Sequence, residues 1–172
     1  DDVFDMHVGQ ADIFDAAVRP IVDASMCGYN GTVFAYGQTG AGKTYSLTGG
    51  QQYSERGIIP RTIEHVFRSH NLIRVCVSYV EIYQESCYDL LDHSHSATPI
   101  EEWKRVLAMQ NGHGEVQMQG LGVYETETEK DAMNLLFTGN IHRMTSETPM
   151  NQASSRSHCI FTLSIESHGS EG

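Results

Sequence analysis

A β-branched and aromatic run that ends directly in a glycine-rich octapeptide constrains this chain more than any other feature. Asn30-Gly31 is a turn signal, and Gly31-Thr32-Val33-Phe34-Ala35-Tyr36 after it reads as a buried strand. Gly37-Gln38-Thr39-Gly40-Ala41-Gly42-Lys43-Thr44 follows without a gap and fits G-x-x-x-x-G-K-[ST]. In such a loop the glycines let successive backbone N–H groups turn inward around phosphate oxygens. The lysine reaches the outer phosphates and the hydroxyl ligates magnesium. A helix N-terminus placed next adds its own attraction for negative charge. A glycine-rich turn with a solvated lysine is the competing reading, and the order of strand, loop and Lys-Thr speaks against it.

The 172 residues, 40% hydrophobic and 9% aromatic, suit one α/β domain with an ordinary core. No apolar stretch approaches the roughly 20 residues that cross a bilayer. Asp1-Asp2-Val3-Phe4-Asp5 lacks the basic start of a secretory signal, so a soluble intracellular protein is expected. Cys27, Cys76, Cys87 and Cys159 stand far apart with no C-x-x-C pair and read as reduced thiols. A formal net charge of −11 argues against a nucleic-acid surface.

The other elements alternate in the α/β manner. Ala11 to Met26 sets Ile13, Phe14, Val18, Ile21 and Val22 at helical spacing, and Pro20 is expected to kink or divide that helix. A second helix begins near Lys43, is interrupted by the polar stretch from Gly49 to Gly57, and restarts around Pro60. Leu72 to Tyr83 carries apolar residues on both parities, which predicts a central strand, closed by Asp89-Leu90-Leu91-Asp92. His93 to Pro99 reads as a solvated loop, in which His93 and His95 are too few ligands for a transition metal. Val106 to Met109 and Val116 to Met118, split by Asn111-Gly112-His113-Gly114, predict a hairpin. Thr128 to Met144 is an amphipathic helix with Glu129, Asp131 and Arg143 placed to suit its dipole, and Cys159 to Ile165 is a final strand. No repeat or low-complexity linker marks a domain boundary.

Asn151-Gln152-Ala153-Ser154-Ser155-Arg156-Ser157-His158 lies in the loop before that last strand. Its serine pair, arginine and asparagine are groups that bond phosphate, water and magnesium. Ordinary loops are rich in the same residues. Beside a phosphate loop, however, a segment that orders around a terminal phosphate and relaxes after its loss would couple hydrolysis to shape.

Residues 28 to 44, then Tyr79-Val80-Glu81-Ile82-Tyr83 with Asp89-Leu90-Leu91, then Met150-Asn151 leading into Ser154-Ser155-Arg156-Ser157-His158, resemble a kinesin motor domain. The blocks occur in that family's order, and the likeness covers nearly the whole chain. Arg56-Gly57-Ile58-Ile59-Pro60-Arg61 and Glu147-Thr148-Pro149-Met150-Asn151-Gln152 are similar to the ciliary and flagellar ninth kinesin subgroup. The resemblance implies an α/β, three-layer P-loop NTPase fold with a central mixed sheet and helices on both faces. Residues 1–172 would be an incomplete motor domain. It implies binding of ATP and Mg2+ and, in the intact parent, ATP hydrolysis coupled to movement on microtubules, with tubulin as partner. Gly37, Gln38, Thr39, Gly40, Ala41, Gly42, Lys43 and Thr44 match the kinesin phosphate loop. Tyr45 matches the place of a ring near adenine, with a helix-surface aromatic an equal reading. Asn151, Ser154, Ser155, Arg156, Ser157 and His158 match the first switch. Lys43, Asn151, Ser154, Ser155 and Arg156 would be catalytic, and Thr44 and Ser155 would hold the metal. The resemblance places the protein in the cytoplasm on the microtubule cytoskeleton, with the subgroup pointing to a cilium or flagellum, and any dimer would form through a coiled coil outside these residues.

In kinesins the adenine-binding arginine and proline lie upstream of the position of Asp1, while the second switch, the main microtubule-binding helix and the neck linker follow the last strand. Arg156 would therefore be one half of a latch. The phosphate-loop strand would lack its partners, so these residues alone are expected to fold poorly and to hydrolyse little ATP. Lys104 and Arg105 are candidates for tubulin contact, although a solvated hairpin edge is the favoured reading. A non-motile, kinesin-like tubulin-binding scaffold is the alternative, against which Lys43, Thr44 and Ser155 weigh. A small nucleotide kinase would want an arginine-rich lid, and the arginines here are scattered.

Overall fold

The computed structural model describes residues 2–70, 72–98, 102–146 and 157–167, and the backbone alone for 96, 97 and 144–146. Two units are distinguished, one running to Arg74 and taking in the end of the last strand from Ile165, the other spanning Val75–Ser164.

In the first unit Pro20 divides the opening helical stretch as its missing N–H requires. α1 (Gln10–Ile13) passes through one π-helical turn (Phe14–Val18) into α2 (Arg19–Met26), and Pro20 sits in the first turn of α2, where no donor is needed. Phe14, Val18 and Val22 from this stretch are buried, as are Ile63 and Val66 of α4 (Ile58–Phe67). The Phe14 ring meets His65 edge-on at 6.1 Å, and His65 Nε2 lies 2.6 Å from Asp23 Oδ1. The Ser167 hydroxyl donates to the Met26 carbonyl at 3.0 Å.

The helix after the octapeptide is in two pieces, as its sequence predicts. α3 (Lys43–Leu47) has five residues and is separated from α4 by the stretch from Thr48 to Gly57. That interruption is bound down rather than loose. The Arg56 guanidinium covers the Tyr53 ring at 3.8 Å and pairs with Glu64, which also pairs with Arg68. The Tyr53 hydroxyl donates to Glu64 Oε1 at 3.2 Å, and Arg61 Nε donates to the Arg56 carbonyl at 2.8 Å. Gly57 closes the join. A Cβ there would lie 2.6 Å from the Ser46 carbonyl oxygen and 2.7 Å from Leu47 backbone atoms.

Residues 31–36 correct one expectation. Read as a buried strand, they have no strand pairing among the described residues, and Phe34 and Tyr36 are 81% and 94% exposed. Alternation and β-propensity describe a surface that fits a sheet, but only neighbouring strands can bury it. Among the described residues no strand pairs with this segment.

The second unit is built on β1 (Leu72–Tyr83), a central strand as predicted. Val75, Val77 and Tyr79 on one parity and Cys76 and Val80 on the other are buried. The strand order is β4 (Val116–Gln119), β3 (Arg105–Gln110), β2 (Ser86–Asp89), β1, β5 (Tyr124–Thr126), and β6 (Ser157–Ser167) also pairs with β1. The registers of β1 with β2 and β5, of β2 with β3 and of β3 with β4 are all antiparallel. The predicted hairpin is β3–β4, whereas β2 and β5 are not signalled by the sequence. Between β1 and β2, Gln84 and Glu85 make the turn at φ 48° and 60°, a left-handed pair without glycine.

α5 (Glu129–Ser146) starts on a reciprocal cap, with the Asp131 N–H donating to Thr128 Oγ1 at 3.2 Å and the Thr128 N–H to Asp131 Oδ2 at 3.0 Å. Ala132 and Leu136 of α5 are buried with Leu90 and Leu91. The Tyr79 hydroxyl donates to Asn140 Oδ1 at 3.0 Å, and burial pushes the phenol up to about 12. All four cysteines are free thiols. Among the described residues no helix is long and apolar enough to cross a membrane.

His95 corrects a second expectation. The segment His93–Ala97 is a 3-10 turn capped by Asp92, whose Oδ1 accepts the Ser94 N–H at 2.9 Å. His93 is exposed, but His95 is only 4% exposed and stacks on Trp103 at 3.9 Å between ring centroids. His142, also buried, stands edge-on to both rings and donates from Nδ1 to the Leu90 carbonyl at 2.7 Å. The polar letters around His95 concealed a burial that Trp103, eight positions on, supplies.

Two outcomes follow from this packing. Gly57→Ala forces the start of α4 away from the last turn of α3, and chemical denaturation should show a loss of about 1–3 kcal/mol. Burial holds His95 below its ordinary value of 6.5, against the opposing pull of the Asp92 and Asp89 charges and with His142 adding to the shift. In mild acid the unfolded chain therefore takes up a proton that the folded ring refuses. The stability that depends on this ring is complete above about pH 6.5 and declines as the pH falls below it. Asp89, raised by burial, acts in the opposite sense lower down, toward the carboxylate range. Unfolding followed by fluorescence of Trp103, the chain's one tryptophan, should weaken between about pH 7 and pH 5.5, and His95→Phe should flatten that slope.

Candidate functional site

The octapeptide must carry the chain from an extended segment into a helix within a few residues, and glycine makes that reversal possible. Gly42, immediately before α3, is left-handed at φ 87°, ψ 15°, a conformation that a side chain would strain. Gly40 is also left-handed, at φ 84°. A Cβ at either position would meet no atom within 4 Å, so it is backbone conformation and not crowding that selects glycine there. The Ala41 N–H donates to the Gln38 carbonyl at 3.2 Å and closes the turn.

Lys43 is the first residue of α3, and its side chain folds back over the loop. Nζ donates to the carbonyls of Gly37 and Gln38, each at 2.8 Å. The fold thus brings Gly37, Gln38 and Lys43 together around one ammonium group. Its partners are neutral carbonyl oxygens, which an anionic oxygen would outcompete as acceptor. Thr44 is exposed and Tyr45 half-exposed on the next positions of α3. A loop of this conformation with a cation at its mouth fits a polyphosphate.

Of the second motif, Asn151, Ser154, Ser155 and Arg156 lie outside the described residues. Ser157, half-buried, and His158, exposed, open β6. Lys104 and Arg105 are exposed where β3 begins, as a hairpin edge would be. Among the described residues no group of three or more His, Cys, Asp or Glu side chains is placed to hold a metal ion.

Two residues to which the sequence reading gave no part in the site support α3. Gln10, buried at the start of α1, donates from Nε2 to the Tyr45 carbonyl at 2.7 Å. Gly57 lies against the other end of the same short helix. Gln10 carries no local sequence signal, because it acts on a partner 35 positions away, and Gly57 reads in the sequence only as the end of the polar interruption.

The likeness to known proteins extends along the whole chain. The kinesin motor domain model matches residues 1–172. Kinesin-like protein KIF9 of Homo sapiens is 42% identical over 166 residues, covering 91% of this chain and 20% of its own length. Kinesin-like protein KIF3C of Mus musculus is 42% identical over 182 residues, covering 100% of this chain and 22% of its own. Kinesin-like protein KLP1 of Chlamydomonas reinhardtii is 37% identical over 171 residues, covering 96% and 21%. A solved structure of a fast kinesin, described for its implications for ATPase mechanism and interactions with microtubules, superposes with a TM-score of 0.85 at 39% identity. It covers 96% of this chain and 47% of its own. The chain spans about a fifth of the length of these curated relatives. An extended segment, a glycine loop closed by Lys43 and an α/β fold shared with a solved kinesin agree with that family match from the first residue to the last, and the chain belongs to the kinesin motor domain family.

Proposed function

We propose that the protein binds MgATP at Gly37–Thr44 and, in its intact form, hydrolyses ATP to drive movement along microtubules. The observation that carries this reading is the Lys43 ammonium, poised over the loop on two neutral carbonyls, in a chain of the kinesin family. Exchanging those carbonyls for β- and γ-phosphate oxygens replaces neutral acceptors with charged ones, and charge-assisted bonds are about twice as strong. The backbone N–H groups of Gly40 and Gly42 would serve the same phosphates.

Phosphoryl transfer asks the protein for little covalent chemistry, so positioning and charge neutralisation do the work. Thr44 and Ser155 would hold the magnesium ion, which supplies charge neutralisation on the phosphates. Asn151, Ser154, Ser155 and Arg156 would form the first switch, with the serines and asparagine orienting the terminal phosphate and the attacking water. Arg156 would pair with an acidic group of a second switch elsewhere in the parent. Tyr45, half-exposed one residue beyond Thr44, suits a ring resting near adenine.

The partner would be the microtubule, with Lys104 and Arg105 as the exposed cations of this chain nearest to it in kinesin terms. A cytoskeletal location follows from that partner. Placement in the ciliary and flagellar ninth subgroup rests on the Arg56–Arg61 and Glu147–Gln152 wording, since KIF9 and KIF3C are equally identical to this chain at 42%. Dimerisation would lie in a coiled coil outside these residues.

The test uses the full-length protein. Lys43→Ala should lower microtubule-stimulated phosphate release by at least about 100-fold, and Thr44→Ala should raise the Mg2+ concentration needed for half-maximal turnover. Unaltered turnover in Lys43→Ala would remove the reading.

A further inference from the structure

Gln10 is nearly buried, 8% exposed, in a position where a polar side chain needs a reason. Its Nε2 donates to the Tyr45 carbonyl at 2.7 Å, across 35 positions of sequence. An α-helix leaves its last four carbonyls without partners of its own, and α3 has five residues, so almost all of it is terminus. The N–H that would ordinarily reach the Tyr45 carbonyl is that of Gly49. It turns instead to the Thr44 carbonyl at 3.4 Å, alongside the Thr48 N–H at 2.7 Å. Gln10 supplies the donor that the helix itself does not.

The other end of this strut is firm. The Gly9 N–H donates to Asp12 Oδ2 at 3.2 Å and the Ile13 N–H to the Gly9 carbonyl at 3.2 Å, which fixes the start of α1 around Gln10. Phe14 and Val18, next along the chain, are anchored in the core of the same unit. The Tyr45 carbonyl belongs to the same turn of helix as Lys43 and Thr44. A side chain that holds that carbonyl sets where the ammonium and the hydroxyl stand.

We infer that Gln10 is a positioning residue for the nucleotide: through the Tyr45 carbonyl it holds the first turn of α3, and with it Lys43 and Thr44, in the register that meets the phosphates. This rests on the MgATP reading of the loop. The residue touches no phosphate itself, so its loss weakens nucleotide capture more than turnover once nucleotide is bound.

Two variants of the full-length protein test it. Gln10→Met keeps length and burial but has no donor. Gln10→Glu keeps the shape and, when ionised, sets a carboxylate against a carbonyl. In Gln10→Met the KM for MgATP and the Kd for a fluorescent ATP analogue should rise about five- to tenfold, with kcat changed by less than about twofold. In Gln10→Glu the same defect at about pH 8 should shrink toward about pH 6, because burial raises the carboxyl and its protonated form is again a donor. A residue that only stabilised the fold would lower the melting temperature without nucleotide and leave KM, Kd and their pH dependence unchanged. That result overturns the inference while the MgATP reading stands. Failure of the unaltered protein to bind the analogue overturns both. Should Gln10→Met not fold, Gln10→Glu decides through its pH response, which is read within one folded protein.

Discussion

Five residues cannot hold an α-helix in water, and α3 is five residues long. Nucleating a turn costs several fixed torsions for one hydrogen bond, so a helix this short exists only where the rest of the protein holds it. Here three supports converge on it. Gly42 delivers the chain at the required left-handed angle, Gly57 lets the start of α4 approach the last turn, and Gln10 occupies an orphan carbonyl. The π-helical turn before Pro20 belongs to the same arrangement, since it allows α1 and α2 to continue past a residue without an N–H and keeps Phe14 in the core. The position of Lys43 is thus a property of the unit and not of the octapeptide alone.

The legible parts of this fold are those whose cause is local. Leu72 to Tyr83 announced a two-sided strand because both parities are apolar, and Asn111 to Gly114 announced a hairpin because its residues suit a turn. Glu129 and Asp131 announced the start of α5 by suiting its dipole, while the cap that Thr128 and Asp131 make is seen only in the structure. The illegible parts depend on something distant. β2 begins after a left-handed turn of Gln84 and Glu85, residues that carry no turn signal. β5 is three residues long, too short for a pattern. His95 sits among polar letters and is buried by Trp103, and Gln10 meets a carbonyl 35 positions away. At the candidate site, the glycine turn and the place of Lys43 at the start of α3 were readable from spacing, and the supports beneath them were not. Burial of Phe34 and Tyr36 was misread for a related reason, since β-propensity records what a strand can pack against and not whether a neighbour is there.

Charge poses a separate problem, because a chain of formal charge −11 is asked to receive a polyanion. Screening shortens the reach of the overall field to about 8 Å in physiological salt, so the immediate surroundings decide. Three cations of the first unit are matched by carboxylates: Arg56 and Arg68 pair with Glu64, and Arg19 with Asp15. Lys43, like Arg61, is held differently. Its partners are carbonyl oxygens, which orient the ammonium without cancelling its charge. The acidic surface then has a use on the proposed reading: an anion finds its favourable partner at the loop and is turned away elsewhere.

The same features bear on how a bound phosphate could alter the protein's shape. A segment responds to a ligand only if its own ordering free energy is comparable with the ligand's differential binding. The phosphate loop joins an extended run with no strand pairing among the described residues to a helix that relies on remote contacts, so few bonds of its own resist rearrangement. Regions of that kind are drawn from the low-stability end of a structure, while β1, with both faces covered, belongs to the high end. A nucleotide at the loop would add several charge-assisted bonds where few bonds exist, and its departure would remove them. On the proposed reading, the weakness of the loop's own scaffolding would therefore be what makes it sensitive to the phosphate.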